Sequence, residues 1–262
     1  MLSYQHLYHA GNLADVHKHA LLAVMLDYMI RKPKPLSYIE THGGRGLYDL
    51  SAPEAQKTGE AAAAARAMAA FGADHPYAGA LATLRAQHGA SAYPGSPLLA
   101  AGLLRAEDSL HIAELHPAEH AALRDTLRGT GAKVYRADGF AQAFALCPPV
   151  PRRGLLLIDP SYEVKADYEA IPRHIAKLHR AWSVGIIALW YPVLTSGAQT
   201  GMVRALAAAF PDALRSEVAF APARPGHGMV GSGLFVLNPP FPLAAEAARL
   251  EDYFARHLKG PA

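Results

Sequence analysis

The sequence predicts an α/β fold built around a mostly parallel sheet of seven strands. Short apolar, β-rich runs alternate with helical patterns along most of the 262 residues. A helix between two strands forms a crossover connection, which places those strands parallel in one sheet. The last two strand candidates are joined instead by a loop rich in proline and glycine at residues 221–228. These two strands are therefore expected to form a terminal antiparallel hairpin.

The first predicted element is a helix at residues 13–30, which is followed by a short strand at 36–40. The other strands are predicted where apolar and β-branched residues form short runs, at residues 109–114, 133–136, 154–158, 184–190, 215–220 and 233–237. Helical patterns fill most of the gaps between strands, at residues 97–105, 117–128, 139–146, 167–182 and 201–210. Seven strands with a terminal hairpin are the Rossmann-like layout of class I methyltransferases.

One segment interrupts this alternation. Residues 53–90 contain an alanine run at 61–65 and apolar residues at helical spacing, and glycine and proline bound the segment. Alanine is the strongest helix former, so the segment is predicted to be helical. We therefore expect a single domain over residues 1–262, with a helical insertion at about 53–92.

Composition excludes several classes of protein. The net charge is +3, and Cys147 is the only cysteine, which rules out intrachain disulfides and thiolate zinc clusters. The apolar runs are far too short to span a membrane, and the N-terminus lacks the pattern of a signal peptide. We expect a cytoplasmic protein. Basic clusters at residues 31–34 and 152–153 permit a polyanionic partner.

A carboxylate and an aromatic residue follow the apolar run at 154–158, in the sequence Asp159-Pro-Ser-Tyr162. Ligands of open α/β sheets bind at the carboxyl ends of the strands. An adenine amino nitrogen is a poor nucleophile, because its lone pair is delocalised into the ring. Asp159 and a turn carbonyl are placed to accept the two amine hydrogens and so direct the lone pair at a methyl group, while Tyr162 stacks on the base. The motif predicts methyl transfer to an exocyclic amine.

A glycine-rich loop at residues 40–46 follows the first strand, with glycines at 43, 44 and 46. Its spacing matches neither the dinucleotide motif nor the P-loop, which disfavours an NAD-dependent oxidoreductase and a nucleotide triphosphatase. S-adenosylmethionine fits better, because it carries no phosphate. Glu114 follows the second strand of the main sheet, where an acidic residue binds the ribose hydroxyls. Asp138 follows the third and is placed to accept from the adenine amino group, although each carboxylate alone also suits a helix cap.

A series of short motifs runs in one order through the chain: Met1-Leu-Ser-Tyr4, His9-Ala-Gly-Asn12, Ala14-Asp-Val16 with Lys18-His19, Thr41-His-Gly-Gly-Arg-Gly46, Tyr93-Pro-Gly-Ser-Pro97, Glu114-Leu-His-Pro117, Ala137-Asp-Gly-Phe140, Arg152-Arg-Gly154, Asp159-Pro-Ser-Tyr-Glu163, Ala188-Leu-Trp-Tyr-Pro192 and Asn238-Pro-Pro240. In this order they resemble the 23S ribosomal RNA adenine-N6-methyltransferase J family. The resemblance implies a Rossmann-like fold with a helical insertion, S-adenosylmethionine as methyl donor, and 23S ribosomal RNA as substrate.

The resemblance also implies the roles of individual residues. Asp159 is the catalytic residue, and the cofactor contacts fall on His19, His42, Ser96, Glu114, Asp138, Gly139 and Asp159. Tyr4 matches a residue implicated in substrate RNA, and we add Tyr162 for the base and Lys18 as a phosphate or substrate contact. The chain departs from the family pattern at Ser161, which replaces a proline, and at Arg45 in the glycine loop.

The sequence thus predicts an enzyme that makes N6-methyladenine in 23S rRNA. One alternative keeps the chemistry and changes the substrate to DNA adenine, and another is an inert nucleic-acid binding protein of the same fold. A metal site formed by His17, His19 and His42 is disfavoured, because these residues do not form a consistent ligand set. We expect a monomer without a metal or a membrane partner.

Overall fold

A seven-stranded sheet forms the centre of the protein in the computed structural model, which describes residues 10–56, 64–65, 67–68, 70–222, 226 and 228–258. The described strands, of which β2 and β3 form a separate ribbon, are β1 (Ser37–Glu40), β2 (Leu47–Asp49), β3 (Ala92–Pro94), β4 (Ser109–Ala113), β5 (Lys133–Tyr135), β6 (Gly154–Ile158), β7 (Ile186–Leu194), β8 (Leu214–Ala219) and β9 (Met229–Leu237). The large sheet has the order β5-β4-β1-β6-β7-β9-β8. Only β9 runs antiparallel to its neighbours, so the predicted mostly parallel sheet with a terminal hairpin is confirmed.

The winding of the sheet changes direction between the neighbouring strands β1 and β6. The strands that follow β1 extend the sheet towards β5, whereas those that follow β6 extend it towards β8. A change of this kind separates the loops at the carboxyl ends of the two central strands and leaves a crevice for a ligand. The loops after β1 and β6 carry the glycine-rich segment and Asp159.

Helices cover both faces of the sheet: α1 (Leu13–Ile30), α2 (Pro53–Gln56), α3 (Pro76–His88), α4 (Ser96–Leu103), α5 (Pro117–Thr126), α6 (Gly139–Leu146), α7 (Asp167–Ala181), α8 (Thr200–Ala209) and α9 (Leu243–His257). Helices α1 and α6 have the predicted bounds, and α4, α5, α7 and α8 differ from prediction by one or two residues at one or both ends. Within the described ranges, no helix is long and apolar enough to cross a membrane.

Three elements were not predicted. Helix α9 buries Leu243, Ala247, Leu250 and Phe254, a helical spacing that the sequence contains, and it packs on β8 and α1. Strands β2 and β3 form a separate antiparallel ribbon of three residues each, too short to give a periodic signal. Strands β7 and β9 also extend further than predicted, because their antiparallel pairing continues past the apolar runs.

The central strands are buried on both faces, as expected of parallel strands covered by helices. Along β6, Leu155 and Leu157 pack in the layer that contains α1, whereas Leu156 and Ile158 pack with α7 and α8. Helix α1 is buried around most of its circumference, including its charged first turns. Its N-terminal end lies beside the loop after β6, which brings polar side chains of α1 to the carboxyl edge of the sheet.

The opposite edge of the sheet is held by two arginines. Arg105 donates hydrogen bonds to the carbonyls of Ile30, Lys32 and Lys34, and Arg153 donates to the carbonyls of Met29 and Lys34. Both side chains therefore bind the turn between α1 and β1. The basic cluster at 31–34 lies at the edge away from Asp159.

Gly154→Ala is expected to destabilise the protein by about 1–3 kcal/mol, the usual cost of overpacking. A Cβ at this position would lie 2.1 Å from the carbonyl oxygen of Ser37, in the strand that pairs with β6. Urea unfolding measures the change. The control is Gly201→Ala, at an exposed position of α8 where an added Cβ meets nothing within 4 Å. Equal stability of the two variants would contradict the prediction.

Candidate active site

The carboxylate of Asp159 is held by a buried lysine. Lys18 Nζ lies 2.7 Å from Asp159 Oδ2 and 3.0 Å from Asp15 Oδ1, and the Lys18, Asp15 and Asp159 side chains are 6%, 3% and 14% exposed. Asp15 Oδ2 accepts the Gly11 amide, and the Asp15 amide donates to the side chain of the helix cap Asn12. The first turn of α1 is thus joined to the end of β6.

These charges keep Lys18 protonated. Burial alone lowers the pKa of an ammonium group, but the carboxylates of Asp159 and Asp15 outweigh burial and raise the pKa of Lys18 above its ordinary value. Lys18 is thus a buried ammonium group between two carboxylates. The residue contacts Asp159 directly, and its predicted contact with phosphate or substrate stays a prediction.

Glu40, at the end of β1, is a site residue that the sequence analysis missed. It is fully buried, and it accepts hydrogen bonds from Ser96 Oγ at 2.5 Å and from the Tyr38 hydroxyl at 2.7 Å. Burial raises the pKa of Glu40, the Ser96 and Tyr38 hydroxyls lower it, Asp159 raises it and Lys18 lowers it, and the net result is a pKa of about 8. Ser96, a predicted cofactor contact, therefore donates its hydroxyl to the buried carboxyl group of Glu40.

His19 lies in a second buried polar cluster on α1. Its Nδ1 is 2.9 Å from the Tyr93 hydroxyl, which in turn is 3.1 Å from the Tyr77 hydroxyl on α3. His17 points elsewhere, between Ser216 and Ser232, and burial lowers the pKa of His17 to about 3. Among the described residues, no group of three histidine, cysteine or acidic side chains is arranged to hold a metal ion.

Glu114 is bound to the backbone of the glycine loop. One of its carboxylate oxygens accepts the Gly44 amide at 2.9 Å, and the other accepts the His116 amide at 2.7 Å. The backbone of Gly44 is in the left-handed region, at φ +58°, which favours glycine. His116, not Glu114, caps helix α5. Glu114 is therefore a half-buried carboxylate whose orientation is fixed by two backbone amides.

His42 and Asp138 occupy the next loops along the same edge. His42 Nδ1 is 2.7 Å from the Thr41 hydroxyl, and its ring meets that of Phe140 at a centroid distance of 6.0 Å. Burial lowers the pKa of His42, against the raising effect of Asp159 and Asp138, so the imidazole is neutral at neutral pH. Asp138 is exposed and caps α6 by accepting the Ala141 amide.

Gly139 allows α6 to approach the loop after β1. A Cβ on Gly139 would lie 2.1 Å from the carbonyl oxygen of Thr41. The N-terminus of α6 and the glycine loop are consequently in direct contact, and any larger residue at 139 would separate them. This contact places Asp138 beside His42.

Tyr162 closes the site next to Asp159. It is buried and has a positive φ of +57°, which is strained for a non-glycine residue. Its hydroxyl donates to the carbonyl of Trp190, and its ring stacks on Tyr168 at a centroid distance of 4.8 Å. Lys18 Nζ lies 5.6 Å from the Trp190 ring centroid. One face of the Tyr162 ring is therefore covered by Tyr168.

The structure brings most of the predicted residues to one edge of the sheet. Asp159, Lys18, Ser96 and His42 are linked through direct contacts or through the charges of their neighbours, and Glu114, Asp138 and Gly139 continue the edge towards β5. Tyr4 lies outside the described residues. The donor set fits S-adenosylmethionine: carboxylates for the ribose and adenine, hydroxyl and imidazole groups for the methionine part, and a close backbone at the glycine loop.

Glu40→Gln is expected to gain stability relative to the wild type as pH rises. The wild-type carboxyl has an ordinary pKa of 4.5 and a folded-state pKa of about 8. Between these values the folded state binds more protons than the unfolded state, so wild-type stability falls as pH increases towards 8 and then levels. Glutamine cannot ionise. Urea unfolding at pH 5 and pH 8 should show the difference between variant and wild type growing by more than about 1.4 kcal/mol, the equivalent of one pKa unit.

Glu107→Gln serves as the control, because it is the same substitution at an exposed position away from the site. A difference between Glu40→Gln and wild type that stays constant from pH 5 to pH 8 would contradict the raised pKa.

Comparison with known proteins places the chain in a family. The family model described as ribosomal RNA large subunit methyltransferase D, RlmJ, matches residues 33–262. Ribosomal RNA large subunit methyltransferase J of Escherichia coli K12 is 41% identical over 93% of this chain and 89% of its own length, and that of Haemophilus influenzae is 36% identical over 98% and 94%. The crystal structure of LPL1258 from Legionella pneumophila has a TM-score of 0.83 and 35% identity, over 95% of this chain and 96% of that chain. The chain belongs to the ribosomal RNA large subunit methyltransferase J family.

Proposed function

We propose that this protein methylates N6 of an adenine in 23S rRNA, with Asp159 as the catalytic residue. Family membership makes the chain a ribosomal RNA methyltransferase that uses S-adenosylmethionine. The observation that carries the finer assignment is the fixed carboxylate after β6, with Lys18 on one oxygen and Tyr162 beside it. An exocyclic amine needs such an acceptor, because its lone pair is otherwise delocalised into the base.

Lys18 contacts one oxygen of the Asp159 carboxylate and leaves the other oxygen available to accept a hydrogen bond. Within the described part of the chain, Oδ1 of Asp159 receives no hydrogen bond, while Oδ2 is occupied by Lys18. Oδ1 accepts an N–H of the target amine and directs its lone pair at the methyl carbon. S-adenosylmethionine supplies an electrophilic methyl group on a sulfonium, and the electron pair of the broken C–S bond stays on sulfur. The proton lost from nitrogen leaves through Asp159 or solvent.

Positioning provides most of the proposed catalysis. Asp159 is rigid because Lys18 and Asp15 hold it, and the Tyr162 ring is rigid because Tyr168 and the Trp190 carbonyl hold it. The target base leaves its stack in the RNA and lies beside Asp159 and Tyr162. Tyr4 is proposed to contact the substrate RNA.

The proposed cofactor contacts follow the edge of the sheet. Glu114 accepts the ribose hydroxyls, and Asp138 with the Gly139 backbone holds the adenine end. Ser96, His19 and His42 surround the methionine end, where Ser96 and His42 lie close to Asp159.

We further propose a cytoplasmic monomer formed by a single domain. The pairing of β2 with β3 brings the two ends of residues 53–92 together, which supports an insertion there.

Transfer of a labelled methyl group into rRNA that lacks the modification tests the proposed function. The label should appear in N6-methyladenosine by nucleoside mass spectrometry, and a matched DNA hairpin should accept little. Asp159→Ala should lower the rate at least about a hundredfold, or roughly 2.7–4 kcal/mol, because its partner is the reacting amine. Glu114→Ala and His42→Ala should act mainly on cofactor affinity.

Three results would count against this assignment: label at another atom, equal methylation of DNA, or a wild-type rate for Asp159→Ala. Binding of S-adenosylmethionine without any transfer to total rRNA would favour the inert binding protein instead.

Lys18→Met is expected to reduce turnover. Without the ammonium group, Asp159 loses the partner that holds one of its carboxylate oxygens, and the carboxylates of Asp15 and Asp159 are left without that cation. Turnover of the folded variant tests this, with the exposed Lys32→Met at the opposite edge as the control. Wild-type turnover of folded Lys18→Met would refute the role of Lys18.

A further inference from the structure

Arg45 lies in the glycine loop, between Gly44 and Gly46. Its side chain extends from the loop and forms a bidentate ion pair with Glu119 on α5, with an Nε–Oε2 distance of 3.0 Å and an Nη2–Oε1 distance of 2.7 Å. The Arg45 carbonyl accepts the Thr126 hydroxyl from the same helix. Arg45 is 26% exposed and Glu119 only 5%, so the carboxylate is largely removed from water. A paired geometry of this type is more specific than a single-point contact.

The rest of the loop is also fixed, but through its backbone. The Gly43 amide donates to the Ala113 carbonyl, the Gly44 amide donates to Glu114, and the Gly46 carbonyl accepts the Gly95 amide. Arg45 is consequently the residue whose side chain joins this loop to helix α5. The same helix follows directly from the segment that carries Glu114.

Glu119 and Glu114 interact through their charges. Burial raises the pKa of Glu114, the amides of His116 and Gly44 lower it, the charge of Glu119 raises it, and His116 lowers it. A buried carboxylate without its partner is strongly unfavourable. If Arg45 were absent, Glu119 would place an uncompensated negative charge beside the carboxylate assigned to the ribose.

We propose that Arg45 is a positioning residue for the cofactor, which neutralises the buried Glu119 so that the charge of Glu119 does not act on Glu114, the carboxylate assigned to the ribose hydroxyls. The inference rests on the proposed role of Glu114. Arg45 acts through Glu119 and Glu114 and makes no contact with the reacting atoms. It supplies affinity for the donor without taking part in methyl transfer.

Calorimetric titration with S-adenosylhomocysteine tests the proposal. Arg45→Ala should weaken binding about tenfold or more at pH 7, and the loss should be greater at pH 6 than at pH 8, because the pKa of Glu114 rises. Glu119→Gln alone should change affinity by less than about threefold. The double variant should recover most of the loss, because the uncompensated charge is gone. Arg128→Ala, which breaks the exposed ion pair with Asp125 at the C-terminal end of α5, is the matched control and should bind normally.

Wild-type affinity of Arg45→Ala for S-adenosylhomocysteine would overturn the proposal. The proposal would also fail if the Arg45→Ala/Glu119→Gln double variant had the melting temperature of the wild type but bound this ligand no better than Arg45→Ala. Glu114→Ala separates the two levels of inference. If Glu114→Ala binds S-adenosylhomocysteine normally, the assignment of Glu114 to the ribose is wrong. If Glu114→Ala binds it weakly and Arg45→Ala binds it normally, only the role of Arg45 is wrong.

Discussion

The active-site geometry depends on one buried ammonium group placed between two carboxylates. Lys18 connects Asp15 in the first turn of α1 with Asp159 after β6, across 141 positions of sequence. Because each group is largely removed from water, the loss of any one leaves a buried charge uncompensated. The trio therefore fixes the first helix and the end of the central strand relative to each other. The Asn12 cap and the Gly11 amide extend this constraint to the start of α1.

The trio also suits a positively charged donor. A sulfonium is stabilised by nearby negative charge, and Lys18 alone would oppose its binding. Asp15 and Asp159 offset that cation, and the Glu40 carboxyl lies close by with its pKa raised to about 8. Under the proposed function, the site holds the sulfonium and keeps one carboxylate oxygen of Asp159 for the amine. These two demands explain why several ionisable groups are buried at this edge.

Most of the fold was predictable because local signals agreed with the global arrangement. The alternation of apolar runs and helical patterns gave the parallel sheet, and the carboxylates after successive strands gave the edge that holds Asp159, Glu114 and Asp138. Glu40 was missed because it ends an apolar strand, where nothing local distinguishes a functional carboxyl group. The burial of Lys18 was missed for a related reason, since its partner Asp159 is distant in sequence. Such contacts depend on tertiary packing and leave no periodic signal.

The small ribbon has a consequence for how this chain can vary. Leu47 pairs with Pro94, so the chain leaves the core and returns to it at nearly the same point. The closure entropy of an intervening segment grows only slowly, by about 0.6 kcal/mol for each doubling of its length. Helix α3 is tied to the site through Tyr77 and Tyr93, and described residues of the connection between α2 and α3 are packed as well. Ala64 and Ala67 are buried in the core, and the Phe71 ring meets that of Tyr77. The cost of changing the length of this connection is therefore set by the residues that it packs and not by loop closure.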